Sequence, residues 1–373
     1  MKAGSNRKDV KSIVEVLRLT LKGQNEKLKT ISDRELILHI RNETARQNQN
    51  NISRTNAYLE FYHRNPEVHW ALLAHCVSRN GGYGMTDVKG ELFLHMASNL
   101  DSTRFFSYLE RANWLIFHDA YAQMLLYEEG KRLNRNMCHL LPALGVSRFM
   151  QPIWNHFLLT QDSSLLTRAL IINEQNYIEE RVVKNNVYQS TVETSTLFKM
   201  ESFLNLNQVL MPYYYNKEVR LAGTTTRHFV SVNDRIRTGL KLYHGLFQDQ
   251  KRHLAIIRFL DNIPHSGSRA DYWPDVFTRD APSSFHNLYQ PRFTAKHSAS
   301  SKIYSPILEA VWPIVDHIPP ETGDWFQDLG HVIYLFDEPT NQAIDISDKY
   351  IQSIKTAETL ITAKEKAQKF LQR

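Results

Sequence analysis

Four stretches of this chain carry side chains of types able to do chemistry. The first is Pro264-His265-Ser266-Gly267-Ser268-Arg269-Ala270-Asp271-Tyr272-Trp273. Gly267 and Ser268 precede a short predicted helix near Tyr272, and Arg269 lies in its first turn. Free main-chain N–H groups at a helix start beside a guanidinium suit phosphate or carboxylate. Ser266, Gly267, Ser268 and Arg269 are therefore candidate ligand-binding residues. The plainer alternative has Ser268 capping the helix with Asp271 in a capping-box role, and Arg269 paired with a surface acid. His265 and Asp271 have the types needed for acid–base catalysis, although spacing identifies no partner for either.

The second stretch is Ser78-Arg79-Asn80-Gly81-Gly82-Tyr83-Gly84-Met85-Thr86-Asp87. Its glycines disfavour helix, so the pattern predicts a tight turn between a buried helix and a second helix capped by Thr86 and reaching Ser98. The Gly-Lys-Ser/Thr ending of a phosphate-binding loop is missing, and Asp87 would repel an anion placed at the helix start. Ser78, Arg79 and Asn80 nonetheless project from the end of a rigid helix as ligand-facing candidates.

In the third stretch, Asn173 to Arg181, helical spacing puts Ile171, Glu174, Ile178 and Arg181 or Val182 on one side. Glu174 is thereby predicted to be partly buried. Such a carboxylate must be paired or keep its proton, and Arg181 or Tyr177 would answer it. A structural ion pair is the plain reading and a catalytic acid the sharper one. The fourth group, Asp87, Glu91 and His95, runs i, i+4, i+8 along a predicted helix face, a stripe that could supply part of a divalent-metal site. Neither Glu-x-x-His nor His-Glu-x-x-His accompanies it, so a solvated polar face is expected and no metal site is assigned. His69 and His75, six residues apart, point to different sides of their helix and read as hydrogen-bonded core or interface histidines.

The elements that must position these groups are helices. The chain has 373 residues with 42% hydrophobic and 11% aromatic content, enough for a large core. Apolar residues recur at three and four over much of it. Ser32 and Glu35 have capping-box spacing, Glu67 to Ser78 is apolar on nearly every side, and a long helix runs from Asp101 towards Leu126. Further helices are predicted over Ser53 to His63, Arg148 to Leu159, Ser164 to Val183, Val192 to Leu210, Val230 to Phe247 and Arg252 to Asp261, with an amphipathic helix over Ile346 to Phe370. Tyr213 to Thr226 reads as a tyrosine-rich linker, and Pro264 to Ser305 as a long irregular excursion. His331 to Phe336 is strand-like but isolated. The expected fold is all-α: a multi-helix array around buried central helices, with an irregular segment near residues 264–305.

Charge and cysteine content limit the partners. The 45 basic and 39 acidic residues give a net charge of only +6, with both signs interspersed. That excess permits nucleic acid as a partner without arguing for it. Cys76 and Cys138, the two cysteines, lack paired spacing and are expected to be buried reduced thiols. No apolar run is long enough to cross a bilayer, so no membrane partner and a cytoplasmic location are expected. No nucleophile elbow or dinucleotide fingerprint occurs, and no cofactor is indicated.

The same segments resemble the YppC-like family of uncharacterised Bacillus-type proteins. The resemblance rests on RTNAYLEFY from Arg54, EVHWALLAHCVSRNGGYGMTDVKG from Glu67, ALIINEQNYIEERVV from Ala169, PHSGSRADYWP from Pro264 and IPPETGDWF from Ile318. It implies no activity and no catalytic residue. It does imply that these segments belong to one continuous domain, and the domain reading is then a single helical domain over 51–345, with N-terminal helices over 1–50 and a C-terminal amphipathic helix over 346–373.

Three functions are consistent with these residues. The leading one is a non-catalytic helical module that binds a phosphate-bearing or acidic ligand, or an acidic partner, through Arg269 and the Ser78–Asn80 helix end, with Tyr177 and Arg181 as further contacts. The second is a hydrolase or transferase in which Glu174, His265 and Asp271 converge, with or without a metal. The third is a nucleic-acid-associated protein. The first requires Arg269 and the Ser78–Asn80 helix end to meet, the second requires Glu174, His265 and Asp271 to lie within hydrogen-bond reach, and one deep pocket shared by Arg79, Glu174 and Arg269 would be the most informative single observation.

Overall fold

The computed structural model describes residues 7–21, 31–190, 208–225, 231–282, 289, 291–292, 302–337 and 344–371. Helices dominate. Along the chain they are α1 (Arg7–Thr20), α2 (Ile31–Gln47), α3 (Asn51–Arg64), α4 (His69–Asp87), α5 (Glu91–Leu94), α6 (Asn99–Arg132), α7 (Met150–Thr160), α8 (Ser163–Ile178) and α9 (Asn186–Tyr188). After a β-hairpin follow α10 (Val232–Gln248), α11 (Gln250–Asn262), α12 (Leu308–Val311) and α13 (Ser347–Leu371). The expectation of a helical array around buried central helices holds. Within α4, Trp70 to Cys76 are all buried, and so are Arg79, Tyr83 and Met85 further on. Tyr350, Ile354, Ala357 and Ile361 of α13 join the same core cluster as Trp70 and Leu72. No helix among the described residues is long and apolar enough to cross a membrane.

Local signals explain several boundaries. Asn50 accepts from the Ser53 N–H while the Ser53 hydroxyl accepts from Asn50 N–H, a capping box that starts α3. Ser98 caps the 34-residue α6 by accepting from Asp101 N–H. Ser32 caps nothing, since α2 is already helical at Ile31.

Two departures from expectation matter for the site. First, α4 runs without a break through Gly81, Gly82 and Gly84. Each glycine weakens a helix by about 1 kcal/mol relative to alanine, but tertiary contact overrides that preference. A Cβ on Gly82 would stand 2.2 Å from Asn51 Oδ1 and 2.5 Å from His265 Nε2. The glycine is there so that two polar side chains can lie against the helix axis. Thr86 consequently sits inside α4 rather than capping a new helix, and Asp87, Glu91 and His95 do not share one helix face.

Second, the tyrosine-rich linker is a β-hairpin. Strand β1 (Gln208–Tyr215) pairs antiparallel with β2 (Glu218–Thr225), and β2 pairs with a short strand at Ile344–Asp345. Asn216 and Lys217 have φ of 46° and 70°, the two positive values of a type I′ turn, which matches the twist of the flanking strands. Pro212, read as a helix stop, lies in β1, which forms the sheet edge and tolerates a missing N–H. The helix expected over Val192 to Leu210 lies outside the described residues up to 207, and from Gln208 it is strand. Within the irregular segment, Phe277–Thr278 pairs in parallel with Ile303–Tyr304. Gly330–Phe336 coils as a 3₁₀ helix rather than extending as a strand.

Gly82→Ala should destabilise the protein by about 1–3 kcal/mol or more, because Asn51 and His265 are packed and cannot yield. Gly84→Ala, whose Cβ meets only Leu109 Cδ1 at 3.6 Å, should instead stabilise it by roughly 0.5–1 kcal/mol. Denaturant unfolding of the two variants checks this contrast.

Candidate functional site

The first two sequence stretches meet. The loop from Ile263 to Tyr272 lies across the C-terminal half of α4, and buried polar bonds join them. Arg79 donates through Nε to the Tyr83 hydroxyl, through Nη1 to Ile263 O and through Nη2 to Pro264 O. Arg269 is bidentate with Asp87, its Nη1 donating to the Tyr272 hydroxyl. Its guanidinium also stands 5.4 Å from the Tyr83 ring and 5.3 Å from the Tyr350 ring. Both arginines are buried, at 2% and 3% exposure, so no open face remains for a ligand.

The neighbouring candidates are equally engaged. Asp271 accepts from Ser266 N–H and hydroxyl and from Arg279 Nη2. Ser268 caps the 3₁₀ turn Arg269–Asp271 by accepting from Ala270 N–H, and donates to Ser305 O. Gly267, with φ +83°, accepts from the Thr86 hydroxyl. His265 Nε2 bonds Asn51 Oδ1, and its Nδ1 stands 3.7 Å from Asp271. Burial pushes the His265 ring down to about 4, so it is neutral near pH 7. Burial favours a raised Asp271 carboxyl, but the nearby His265 ring, the hydrogen bonds from Ser266 and the Arg79 charge outweigh it and hold it at about 2. The Ser78 hydroxyl bonds Thr55, and Asn80 Oδ1 accepts from Leu210 N–H, tying α4 to the hairpin.

Tyr177 and Arg181 lie elsewhere, in an open cleft of ≈ 780 Å³. Its walls are α2, α6, the end of α8 and the segment His317 to Asp324. Arg41, Arg148 and Arg181 line it, and Arg111 holds the 317–324 wall. Arg41 donates to Ala143 O, Arg111 to Ile318 O, Arg148 to Phe326 O, and Arg181 to Tyr177 O, Glu321 O and Gly323 O. Asp324 answers Arg148 at 3.2 Å, and Glu321 stands 3.9 Å from Arg111. Arg41 and Arg181 face main-chain carbonyls, which align a guanidinium without cancelling its charge. Arg181 lies 4.1 Å over the Tyr177 ring, and its buried Nε has no partner. His118 is stacked on Trp114. Its burial, with Arg41 and Arg111 nearby, pulls its pKa down to about 4. Gly145 and Gly323, at φ +82° and +130°, make the turns that shape the rim.

Glu174 lines a third place, a smaller cavity that includes Ser78 but neither His265 nor Asp271. Arg181 does not answer it, because the π-helical turn Glu179–Val183 adds a residue to the coil and displaces Arg181 from the face that uniform helical spacing gives it. Burial raises the Glu174 carboxyl to about 8, against hydrogen bonds from Gln175 and Trp70. Nearby Asp119 is pushed up to about 7, again by burial. It accepts from Gln123 and Asn173 through one oxygen while the other has no partner.

Among the described residues no group of histidine, cysteine or carboxylate side chains could hold a metal. Asp87 pairs with Arg269, Glu91 with Arg292, and His95 with Glu365. His69 bonds Tyr243 and His75 bonds Thr55 O, on separate sides of α4. Cys76 and Cys138 are free and buried. Sequence reasoning missed Arg41, Arg111, Arg148, Trp114 and His118. They come from three separated segments, and no local spacing marks them.

The family described as "Protein of unknown function (DUF2515)" matches residues 46–358. The chain is 34% identical over 337 residues to the uncharacterized protein YppC of Bacillus subtilis (strain 168), covering 89% of this chain and 96% of that protein. No solved structure matches.

Two outcomes follow from this geometry. Arg269→Met, which strands Asp87 beside buried tyrosines, should cost about 3 kcal/mol of stability by denaturant unfolding. Asp119 has a folded pKa near 7 against an ordinary 3.8. Its stabilising effect is therefore complete below that ordinary value and is lost as pH rises through the folded one. Asp119→Asn, which imitates the protonated acid, should remove that decline. In unfolding titrations between about pH 4 and 7 the wild type should lose stability relative to the variant, by at most about 1.4 kcal/mol per pH unit.

Proposed function

Starting from a chain that belongs to the DUF2515 family of proteins of unknown function, we propose that it is a cytoplasmic helical protein that binds a small anionic molecule. The ligand carries phosphate or carboxylate and occupies the cleft between α2, α6 and residues 317–324. One observation carries the reading: Arg41 and Arg181 line this cleft with guanidiniums bonded to carbonyl oxygens rather than carboxylates. Their charge is left for a guest, which would make charge-assisted and bidentate bonds there. A volume of ≈ 780 Å³ falls within the range usual for small-molecule sites, roughly 300–1,000 Å³. His118, lowered first by its burial, is lowered further by the charges of Arg41 and Arg111.

This reading keeps the anionic ligand expected from sequence and moves it. Arg79 and Arg269 are neutralised or enclosed, so they serve to hold the loop on α4. Tyr177 and Arg181 remain as ligand contacts, now joined by Arg41 and Arg148.

Calorimetric titration with inorganic pyrophosphate and with citrate tests the proposal. At least one should bind at a single site, more weakly as salt is raised. Arg41→Ala alters an exposed side chain and should leave folding intact while weakening binding about tenfold, near the value of one charged hydrogen bond. Gly84→Ala, remote from the cleft, should titrate like the wild type. Absence of binding by both probes, or unchanged binding in Arg41→Ala, overturns it.

A further inference from the structure

The Glu174 cavity is a separate place with its own chemistry. It lies where α3, α4, α6, α8, β1 and α10 converge, and its volume is ≈ 130 Å³. Tyr58, Trp70, Leu73, Ile116 and Leu242 supply an apolar wall. Its polar residues are bound to protein: Ser78 to Thr55 and Asn51, Asn113 to Leu109 O, Thr238 to Asp234 O, and Arg235 to Glu179 and Gln175. Among the described residues Glu174 is the one acid on the wall, and it accepts from Gln175 with no cation paired to it. Arg235, which shares the wall, and Arg181, one helix end away, are committed elsewhere, Arg181 to the 321–323 carbonyls and Arg235 to Glu179.

We propose that this cavity is a binding site for a small primary amine with an apolar tail, its ammonium paired with the Glu174 carboxylate. A desolvated carboxyl without a positive partner is costly to ionise, and an ammonium brought in by a ligand removes that cost. The apolar wall takes the tail. In size the cavity is close to an engineered apolar cavity of about 150 Å³ that holds benzene, which sets the guest at roughly six non-hydrogen atoms.

The ion pair has a proton balance. Glu174 holds its proton near neutral pH because burial raises it to about 8, with the Asp119 charge acting in the same direction. Tyr58 faces it from α3 and Arg235 from α10. Burial pushes Tyr58 well up, so its phenol stays neutral. The amine enters already protonated, Glu174 gives its proton to the buffer, and the ammonium–carboxylate pair forms. Binding should therefore tighten as pH rises from about 6 to 8 and release close to one proton per ligand at the lower end.

The experiment is calorimetric titration with n-pentylamine, and with 1-pentanol as the neutral match in size. At pH near 7, pentylamine should bind at least tenfold more tightly than pentanol. Its apparent enthalpy should differ between two buffers of unlike ionisation enthalpy by the amount that proton release requires. Glu174→Gln should lower the amine affinity at least tenfold and leave pentanol unchanged. If that variant does not fold, the amine-to-alcohol ratio and the two-buffer comparison on the wild type decide the matter. Equal affinity for amine and alcohol, absence of amine binding between pH 6 and 9, or amine binding unchanged in a folded Glu174→Gln overturns the proposal. Pyrophosphate binding at the other cleft is independent of these outcomes.

Discussion

Two guanidiniums at the centre of this protein, Arg79 and Arg269, are almost wholly removed from water, and much of the fold is arranged to satisfy them. Stripping water from a cation costs several kcal/mol unless charge and hydrogen bonds replace it. The replacements come from distant segments: Tyr83 and Asp87 on α4, the carbonyls of Ile263 and Pro264, and the Tyr272 hydroxyl. Asp271 adds negative charge 3.7 Å from Arg79. Because each partner is needed, the loop after α11 has essentially one place to lie. The close approach at Gly82 follows from it, since His265 and Asn51 must press against the helix to reach each other.

Arginine is used in two ways here, and the difference organises the functional reading. Where the partner is a carboxylate, as for Arg269 with Asp87, Arg54 with Glu110 and Arg235 with Glu179, the charge is cancelled and the pair fastens elements together. Where the partner is a carbonyl, as for Arg41 and Arg181, orientation is held and charge persists. Guanidiniums of the second kind border an open cleft, and the segment that Arg181 holds, His317 to Asp324, forms one wall of it. Carbonyl bonds thus shape the cleft and leave the charges of Arg41 and Arg181 in place.

The carboxyls behave in the complementary way. Glu110 is surrounded by Arg54 and His317 and is held down against its burial. Asp119 and Glu174 meet amides rather than cations, and burial raises both. Protonated acids of that kind can donate as well as accept, and they respond to any cation brought near. The two cavities consequently differ in what they would take: one rimmed by unneutralised arginine, the other apolar and carrying a neutral acid.

Much of the helical framework was legible in the residues, because amphipathic spacing over a dozen positions outweighs any single contact. Periodicity and caps located α3, α6, α8, α10, α11 and the burial of α4, and Ser268 announced its own cap. The hairpin carried a signal too, in Asn216 at the turn, but a run of tyrosines around Pro212 masked the alternation. What spacing could not reveal was which polar residues face one another across more than a hundred positions. Gly81, Gly82 and Gly84 read as a turn because local propensity is additive along the chain, whereas the close contact with Asn51 and His265 that keeps the helix straight exists only in three dimensions. Arg79 and Arg269 looked like ligand groups, and tertiary structure alone surrounded them with protein. Arg41 and Arg181 drew opposite attention from sequence, one none and the other as the partner of Glu174. Only the fold decided that both would keep their charge at the edge of a cleft, since whether a guanidinium is neutralised depends on what lies opposite it.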